Sequence, residues 1–272
     1  MRRAEAVLRM VLLVAGAVAT TFPFLWMLGT SLKTLMEATT PSLRVFPETP
    51  QWHNYVDTLQ AAPFGTYFFN TFLVAFIVTG SVTVTSLMAG YAFARLRFPG
   101  RTVLFSIILA TMMIPFEVTL IPNFVLITRL GWTDTYAALI IPWCANAFSI
   151  FLMRQAFRGL PVDFYDAATI DGCGHLRFLA WIAGPLVKPM VVTVALFAFL
   201  GSYNSLVWPL VATSTPEMRV VQVGLTMFSG AEGVQFNLLM CAAAIVIAPT
   251  VALYFAAQRY FLESALGAGI KG

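Results

Sequence analysis

The chain has 272 residues, 59% of them hydrophobic and only 10% charged, with a formal net charge of +4 and a mean hydropathy of +0.82. A soluble domain typically carries about 25% charged residues, so this composition excludes a large soluble core and fits a polytopic membrane protein. The basic residues are scattered and form no basic-aromatic patch, which argues against nucleic-acid binding.

Arg2, Arg3 and Arg9 precede an apolar run from Met10 to Leu32. An Ala17-Val18-Ala19 site gives this run the look of a secretory signal. Apolar sequence continues through Phe22, Phe24, Leu25, Trp26 and Leu28, however, well beyond the about 7–15 residues of a signal core. The run is therefore read as an uncleaved first helix (10–32) after a short cytoplasmic segment (1–9). About 20 apolar residues cross the hydrocarbon, and five further runs qualify: Phe68–Ala94, Val103–Ile127, Thr135–Met153, Met190–Thr213 and Leu238–Tyr260. The expected fold is an all-α integral membrane protein with six transmembrane helices. After the first helix comes an external loop (33–67), in which Pro41, Pro47, Pro50 and Pro63 argue for irregular chain with short helical pieces. A five-helix core (68–260) follows, containing a long cytoplasmic loop (154–189), and the chain closes with a tail (261–272). A second external segment is expected over Ser214–Gln235.

Basic residues set the orientation. With the N-terminus inside, the cytoplasmic set is Arg2, Arg3, Arg9, Arg95, Arg97, Arg101, Arg154, Arg158, Arg177, Lys188, Arg259 and Lys271. Lys33, Arg44, Arg129 and Arg219 make up the external remainder. This bias places both termini in the cytoplasm of a multi-pass protein of the cell (inner or plasma) membrane.

The longest polar interruption carries the most information. Pro161 suits a first helical turn, Asp163 and Asp166 complement the positive end of a helix dipole, and Phe164, Ala167, Ala168 and Asp171 recur at helical spacing. Tyr165 lies in the same run. Gly172 fits the left-handed residue that ends a helix, Gly174 adds a second hinge, and Pro185 precedes the fifth span. The piece from Pro161 to Asp171 spans about 16 Å at 1.5 Å per residue, the size of a knob for a groove on another protein. The competing reading is a helix lying on lipid headgroups. Such helices favour Lys and Arg on their polar face, whereas this one has three aspartates and no basic residue, so protein docking is preferred.

These residues resemble a known family. Asp166-Ala167-Ala168, then Gly172, Ile182 and Pro185, is similar to the EAA loop of permease subunits in binding-protein-dependent ABC importers. The run Phe199-Leu200-Gly201-Ser202-Tyr203-Asn204-Ser205-Leu206-Val207-Trp208-Pro209-Leu210 resembles the fifth-helix element of carbohydrate-uptake permeases of the maltose-permease second-subunit type. Ser31-Leu32-Lys33, Asn54-Tyr55, Ile114-Pro115, Ile121-Pro122, Gln258-Arg259-Tyr260-Phe261 and the closing Gly269-Ile270-Lys271-Gly272 fit as well. The chain departs from the pattern with Asp166 for the leading Glu, Gly184 for Leu, and Tyr203 and Ser205 where Trp and Asp are common.

The resemblance implies a type I ABC importer permease fold and a set of partners. These are a homologous sister permease, a dimer of ATP-binding subunits that receive the coupling helix, an extracytoplasmic solute-binding protein, a sugar-like substrate, and the membrane lipid. The coupling residues it implies are Tyr165, Asp166, Ala167, Ala168, Asp171, Gly172, Gly174 and Pro185. ATP and Mg would be bound by the partner subunits, with no cofactor or metal on this chain.

The residues contain no catalytic machinery of their own. The lysines are Lys33, Lys188 and Lys271, none of them after a GxxxxG pattern, so ATP is expected to be hydrolysed elsewhere. The histidines are His53, expected in an external loop, and His175, expected at the surface of a hinge loop. Cys144, Cys173 and Cys241 lack metal or redox spacing. Glu117 is the only acid inside an expected span and lines a translocation path, unless the third helix ends early and leaves it at the interface. Tyr203, Asn204 and Trp208 are candidates to contact a passing sugar, by ring stacking and amide hydrogen bonds. The alternatives are helix packing for Asn204 and an interfacial belt position for Trp208. A self-contained secondary carrier is the competing function, but no internal repeat of the kind such carriers show is visible. An intramembrane enzyme would need a catalytic pair within the spans, and none appears.

Overall fold

The computed structural model describes residues 2–41, 44–230 and 233–269. In chain order, α1 (Arg2–Ser31) leads into a segment with two short helices, α2 (Leu35–Thr39) and α3 (His53–Ala61), and then into α4 (Phe64–Arg95). Next, α5 (Arg101–Thr111) and α6 (Phe116–Arg129) meet at 96°. A shallower bend of 40° separates α7 (Tyr136–Ile140), continued by a 3-10 turn at Ile141–Trp143, from α8 (Ala147–Arg158). The polar interruption holds α9 (Asp163–Ile170), α10 (His175–Phe178), a π-helical turn at Leu179–Ala183, and α11 (Gly184–Leu186); the run from His175 to Leu186 meets α12 (Lys188–Tyr203) at 87°. There follow α13 (Val207–Ala212), a 3-10 turn at Pro216–Met218, α14 (Val221–Leu225), a 3-10 turn at Thr226–Phe228, a two-stranded hairpin of β1 (Ser229–Gly230) and β2 (Gly233–Val234), and α15 (Phe236–Gly269). Among the described residues three helices are long and apolar enough to cross a membrane unbroken, and up to six spans result if each bent pair is one.

The departures from the expected spans have local causes. The third run breaks at Pro115, the N-cap of α6 with extended geometry (φ −61°, ψ 144°); it has no N–H to continue α5, and its ring would meet the Thr111 carbonyl in an unbroken helix. The fourth breaks before Asn146, whose Oδ1 accepts from the N–H of Ser149 at 2.9 Å and caps α8. The fifth, expected to run from Met190 to Thr213, stops at Tyr203; continuing it would set the Pro209 ring against the carbonyl of Ser205. The 16 residues of α12 therefore reach about 24 Å, short of the about 30 Å of the hydrocarbon. The last helix runs past Tyr260 to Gly269, through a segment in which Leu262, Glu263, Ala265, Leu266 and Ala268 are good helix formers. Residues 270–272 of the expected tail lie outside the described residues. The short hairpin is the one departure from an all-helical chain among the described residues.

The chain divides into two compact units, Met1–Phe64 with Val223–Ala252, and Gly65–Gln222 with Leu253–Gly272. In the first, α2 opens with a capping box: Glu37 N–H donates to Thr34 Oγ1 at 3.2 Å, and Thr34 N–H donates to the Glu37 carboxylate at 2.9 Å. A buried clasp joins the end of α1 to the start of α3. Asn54 Nδ2 donates to the carbonyls of Ser31 and Lys33, each at 2.8 Å, and Ser31 Oγ lies 2.9 Å from the Tyr55 hydroxyl. Lys33 Nζ donates to the Arg44 carbonyl at 2.7 Å and lies 4.8 Å from the centre of the Trp26 ring. The segments Ser31-Leu32-Lys33 and Asn54-Tyr55, distant in sequence, are thus the two halves of one joint. His53 begins α3, with Nε2 3.0 Å from Asp57 Oδ1.

In the second unit α4 and α8 cross closely. A Cβ on Gly90 would sit 2.6 Å from Met153 Cβ and 2.9 Å from Arg154 N, so a residue without a side chain is required there. Arg154 Nε donates to the Phe93 carbonyl at 3.2 Å, and its guanidinium lies 4.0 Å from the Phe105 ring centre on α5, a cation–π contact. At the opposite end of α4, Asn70 is buried. Its Nδ2 donates to the carbonyls of Glu217 and Arg219 (2.7 and 2.9 Å), and its Oδ1 accepts from the Tyr136 hydroxyl at 2.6 Å. Thr71 Oγ1 accepts from Val221 N–H at 2.8 Å.

Candidate functional site

The polar interruption builds a short, well-terminated helix. α9 has eight residues, about 12 Å long, shorter at both ends than the expected Pro161–Asp171. Pro161 precedes the cap residue Val162, and Asp171 is the C-cap. Asp163 and Asp166 fall in the first turn, where the dipole favours them. At the other end the Cys173 N–H donates to the Ala168 carbonyl at 2.8 Å and the Gly172 N–H to the Thr169 carbonyl at 3.0 Å. Together these bonds form a Schellman closure. Gly172 has φ +73°, which is why glycine stands there. Gly174 has an ordinary φ of −70° as the residue before α10, so its backbone does not demand glycine.

One face of α9 is held and the other is free. Ala168 is buried and Tyr165 half-buried, whereas Asp166, Ala167 and Ile170 are exposed, Ile170 to 86%. The Tyr165 ring stacks on His175 (centroids 6.1 Å, 13° between planes) and meets Phe178 edge-on at 5.4 Å. Tyr91 on α4 completes the cluster: its hydroxyl lies 3.1 Å from His175 Nδ1, and its ring contacts Phe157 and Phe178. Arg95, at the end of α4, donates from Nη2 to the carbonyls of Phe157 and Leu160. Its charge meets the negative end of α8 and fixes where the chain leaves for α9.

Beyond α9 the π turn is fitted to its sequence. Gly184 N–H donates to the Leu179 carbonyl, and a Cβ on Gly184 would lie 2.8 Å from that oxygen. The Leu common at this position in the resembled pattern would not fit this turn. Pro185, next in the chain and exposed, contributes no N–H to a regular ladder.

A second feature of the same unit is a cavity of about 540 Å³ walled by α4, α6, α8, α12 and α13 and the turn after α7. Trp208 lies in its wall, only 2% exposed; its Nε1 donates to the Ala138 carbonyl at 2.9 Å, and its ring meets Trp143 edge-on at 6.0 Å. Tyr203 is buried and does not line the cavity; its ring is stacked on Phe199 at 5.7 Å. Asn204 is exposed as the C-cap of α12, and its Oδ1 accepts from Gln222 Nε2 at 3.2 Å. Glu117 is exposed in the first turn of α6, beside Phe116 of the wall. The break at Pro115 thus puts Glu117 at a helix start instead of inside a continuous span. Of the four expected path residues, the cavity brings in Trp208 alone.

Near this cavity Asp134 locks two loops. It is the one non-glycine residue with positive φ (56°) among the described residues. Its Oδ1 accepts from the N–H groups of Ser214 (2.6 Å) and Thr215 (2.8 Å) and from Thr215 Oγ1 (3.1 Å). Those bonds, the Thr215 N–H foremost, hold its carboxyl below the usual range, with a smaller contribution from Arg219.

The residues that sequence reasoning missed are Tyr91, Ile170, Asn70 and Asp134. Asn70-Thr71 left a signal, a polar pair at the head of an apolar run. Tyr91 left none, because an aromatic residue in an apolar helix reads as packing. Among the described residues no group of three or more metal-ligating side chains occurs.

Residues 81–264 match the family model described as binding-protein-dependent transport system inner membrane component. The sn-glycerol-3-phosphate transport system permease protein UgpE of Yersinia enterocolitica is 36% identical over 215 residues, covering 78% of this chain and 76% of that protein. The arabinooligosaccharides transport system permease protein AraQ of Bacillus subtilis is 30% identical over 254 residues, 92% of this chain and 90% of the other. The sulfoquinovosyl glycerol transport system permease protein SmoH of Agrobacterium fabrum is 30% identical over 253 residues, 92% and 89%. A chain in the crystal structure of a bacterial ABC transporter involved in the import of the acidic polysaccharide alginate superposes with a TM-score of 0.83 at 24% identity, over 95% of this chain and 97% of that one, a likeness of fold.

Proposed function

We propose that this chain, which belongs to the family of binding-protein-dependent transport system inner membrane components, forms half of the translocation pathway of an ABC importer for a sugar or sugar-like solute. A sister permease supplies the other half. Two ATP-binding subunits hold ATP and Mg and carry out hydrolysis, and an extracytoplasmic solute-binding protein delivers substrate. Three unbroken helices and three bent pairs make six spans in the inner membrane. The bias of basic residues toward one side supports cytoplasmic termini and a cytoplasmic α9.

The observation that carries the reading is the construction of α9. Its outer face offers a small residue, Ala167, between Asp166 and an exposed Ile170. Its inner face is tied through Tyr165, His175 and Phe178 to Tyr91 of α4. Closure of the ATP-binding subunits displaces α9, and the aromatic cluster transmits that displacement to α4, while Arg95 transmits it to the end of α8. The relatives' names divide between a phosphorylated polyol, a sulfonated glycoside and arabinooligosaccharides, all of them polyhydroxylated.

The test is purification of the chain from its native membrane in mild detergent, followed by reconstitution. A second permease, a P-loop ATPase and a solute-binding protein are expected to co-purify, and solute uptake is expected to need ATP. Isolation of the chain alone, active in liposomes without ATP, would replace this reading with a self-contained secondary carrier.

A further inference from the structure

We infer that the solute is an uncharged saccharide and that this chain's half of the path rejects sugar phosphates and acidic sugars; the inference rests on the translocation reading above. The cavity wall contains no charged residue. Its polar side-chain groups are hydroxyls, one amide and the indoles of Trp143 and Trp208, the latter donating to the Ala138 carbonyl. Asn146 spends its Oδ1 on the N–H and Oγ of Ser149, which leaves the Nδ2 protons without a partner among the described residues. The Ser202 and Ser205 hydroxyls, also in the wall, likewise have no hydrogen-bond partner among the described residues. Hydroxyls both give and accept hydrogen bonds, and an amide NH₂ gives two, the complement of a neutral polyol. Two aromatic rings in the wall, Phe148 and Phe197, are 43% and 50% exposed and lie 6.3 Å apart. They offer flat apolar surface to the C–H faces of a sugar ring.

An anion needs something different. A phosphate or carboxylate that sheds its water requires Arg, Lys or a cluster of N–H donors in its place. The charged residues next to the wall in sequence do not serve. Glu117, after Phe116, repels an anion. Arg219, before Val220, has Nη2 3.4 Å from the Ser214 carbonyl, in the loop gripped by the opposite charge of Asp134.

The test uses the complete reconstituted importer with its own binding protein. Uptake is measured for a size-matched panel of neutral di- and trisaccharides, sn-glycerol-3-phosphate and a uronate disaccharide. Neutral members are expected to be taken up with kcat/KM about 100-fold above the anionic ones, the scale of discrimination a mismatched polar site achieves. Uptake of either anion within tenfold of the best neutral sugar overturns the inference and leaves the permease reading intact. Failure of every member to move, with ATP turning over, counts against sugar translocation itself. To place the selectivity in this cavity, the Ser202→Ala/Ser205→Ala double variant is expected to raise KM for the best neutral sugar about tenfold, with the complex still assembling. An unchanged KM removes the cavity from the path and the inference with it.

Discussion

The Tyr91 hydroxyl lies 3.1 Å from Nδ1 of His175, 84 positions away in sequence. One residue belongs to the 32-residue helix α4 and the other begins α10, which follows the proposed coupling helix. The contact joins the two parts that must move together if ATP hydrolysis elsewhere is to change access here. Tyr91→Phe removes the hydrogen bond and keeps the ring contacts with Phe157 and Phe178. The expected cost in stability is about 1 kcal/mol, with uptake per ATP hydrolysed reduced several-fold. Tyr91→Ala removes the cluster's centre and is expected to abolish coupling while ATP turnover persists. Parallel measurement of uptake and hydrolysis in proteoliposomes checks both, and a Tyr91→Ala variant with normal stoichiometry would remove the cluster from the mechanism.

Gly172 offers a test graded by backbone conformation alone. Its φ is +73° and no atom lies within 4 Å of where a Cβ would be, so substitution brings strain without a clash. Asn tolerates the left-handed region, Ala accepts it at about 1 kcal/mol, and a β-branched residue fares worst. The expected order of transport is Gly172→Asn near wild type, Gly172→Ala intermediate, and Gly172→Val reduced tenfold or more, with the membrane fold and complex assembly retained. Equal transport by all three would show that the end of α9 does not need its Schellman closure.

How far the sequence disclosed this site depends on the kind of signal. Asp166, Ala167 and Gly172 were legible because charge, size and positive φ are properties of single residues next to one another in the chain. The long helices were legible because a charge-free apolar run has few alternatives. The breaks at Pro115 and Asn146 were less so, since hydropathy averages over a break that one proline or one cap produces. Tyr203 and Trp208 stood out by type, but the stacking of Tyr203 on Phe199 and the place of Trp208 in the cavity wall, bonded to Ala138 and edge-on to Trp143, depend on residues that only the fold brings near. The clasp between Asn54 and Ser31 was visible as two similar segments and not as a joint, because pairing across more than twenty residues leaves no periodicity.

Gly90 is a packing requirement with a measurable cost. The added Cβ of Gly90→Ala would meet Met153 Cβ at 2.6 Å and the backbone N of Arg154 at 2.9 Å. Met153 Cβ is set by its backbone and Met153 is buried, so neither contact can give way and α4 and α8 must separate. Overpacking of this kind costs about 1–3 kcal/mol. The expected result is a lower Tm in detergent for Gly90→Ala and loss of folded protein for Gly90→Leu, whereas Gly80→Ala, with open space at its Cβ, leaves Tm unchanged. Equal Tm for Gly90→Ala and wild type would mean that the two helices pack less closely than described.

Asp134 makes stability depend on pH in a direction fixed by its partners. Its carboxyl is held below its ordinary value, first by the Thr215 N–H and also by Ser214 and Arg219. A group whose pKa is lower folded than unfolded contributes stability that is fully present above the unfolded pKa, about 3.9. That contribution is lost as pH falls through the folded value. Asp134→Asn keeps a side-chain oxygen for Ser214 and Thr215 and tolerates φ 56°, but has no charge to protonate. Wild type is therefore expected to be more stable than Asp134→Asn at neutral pH, with the difference shrinking as pH drops below about 4. Asp134→Ala, which loses both the acceptor and the tolerance of positive φ, is expected to be the least stable at every pH. Thermal unfolding of the three proteins between neutral and acid pH provides the check. A difference between wild type and Asp134→Asn that grows on acidification would mean that the carboxylate is not what fastens the Ser214–Thr215 loop.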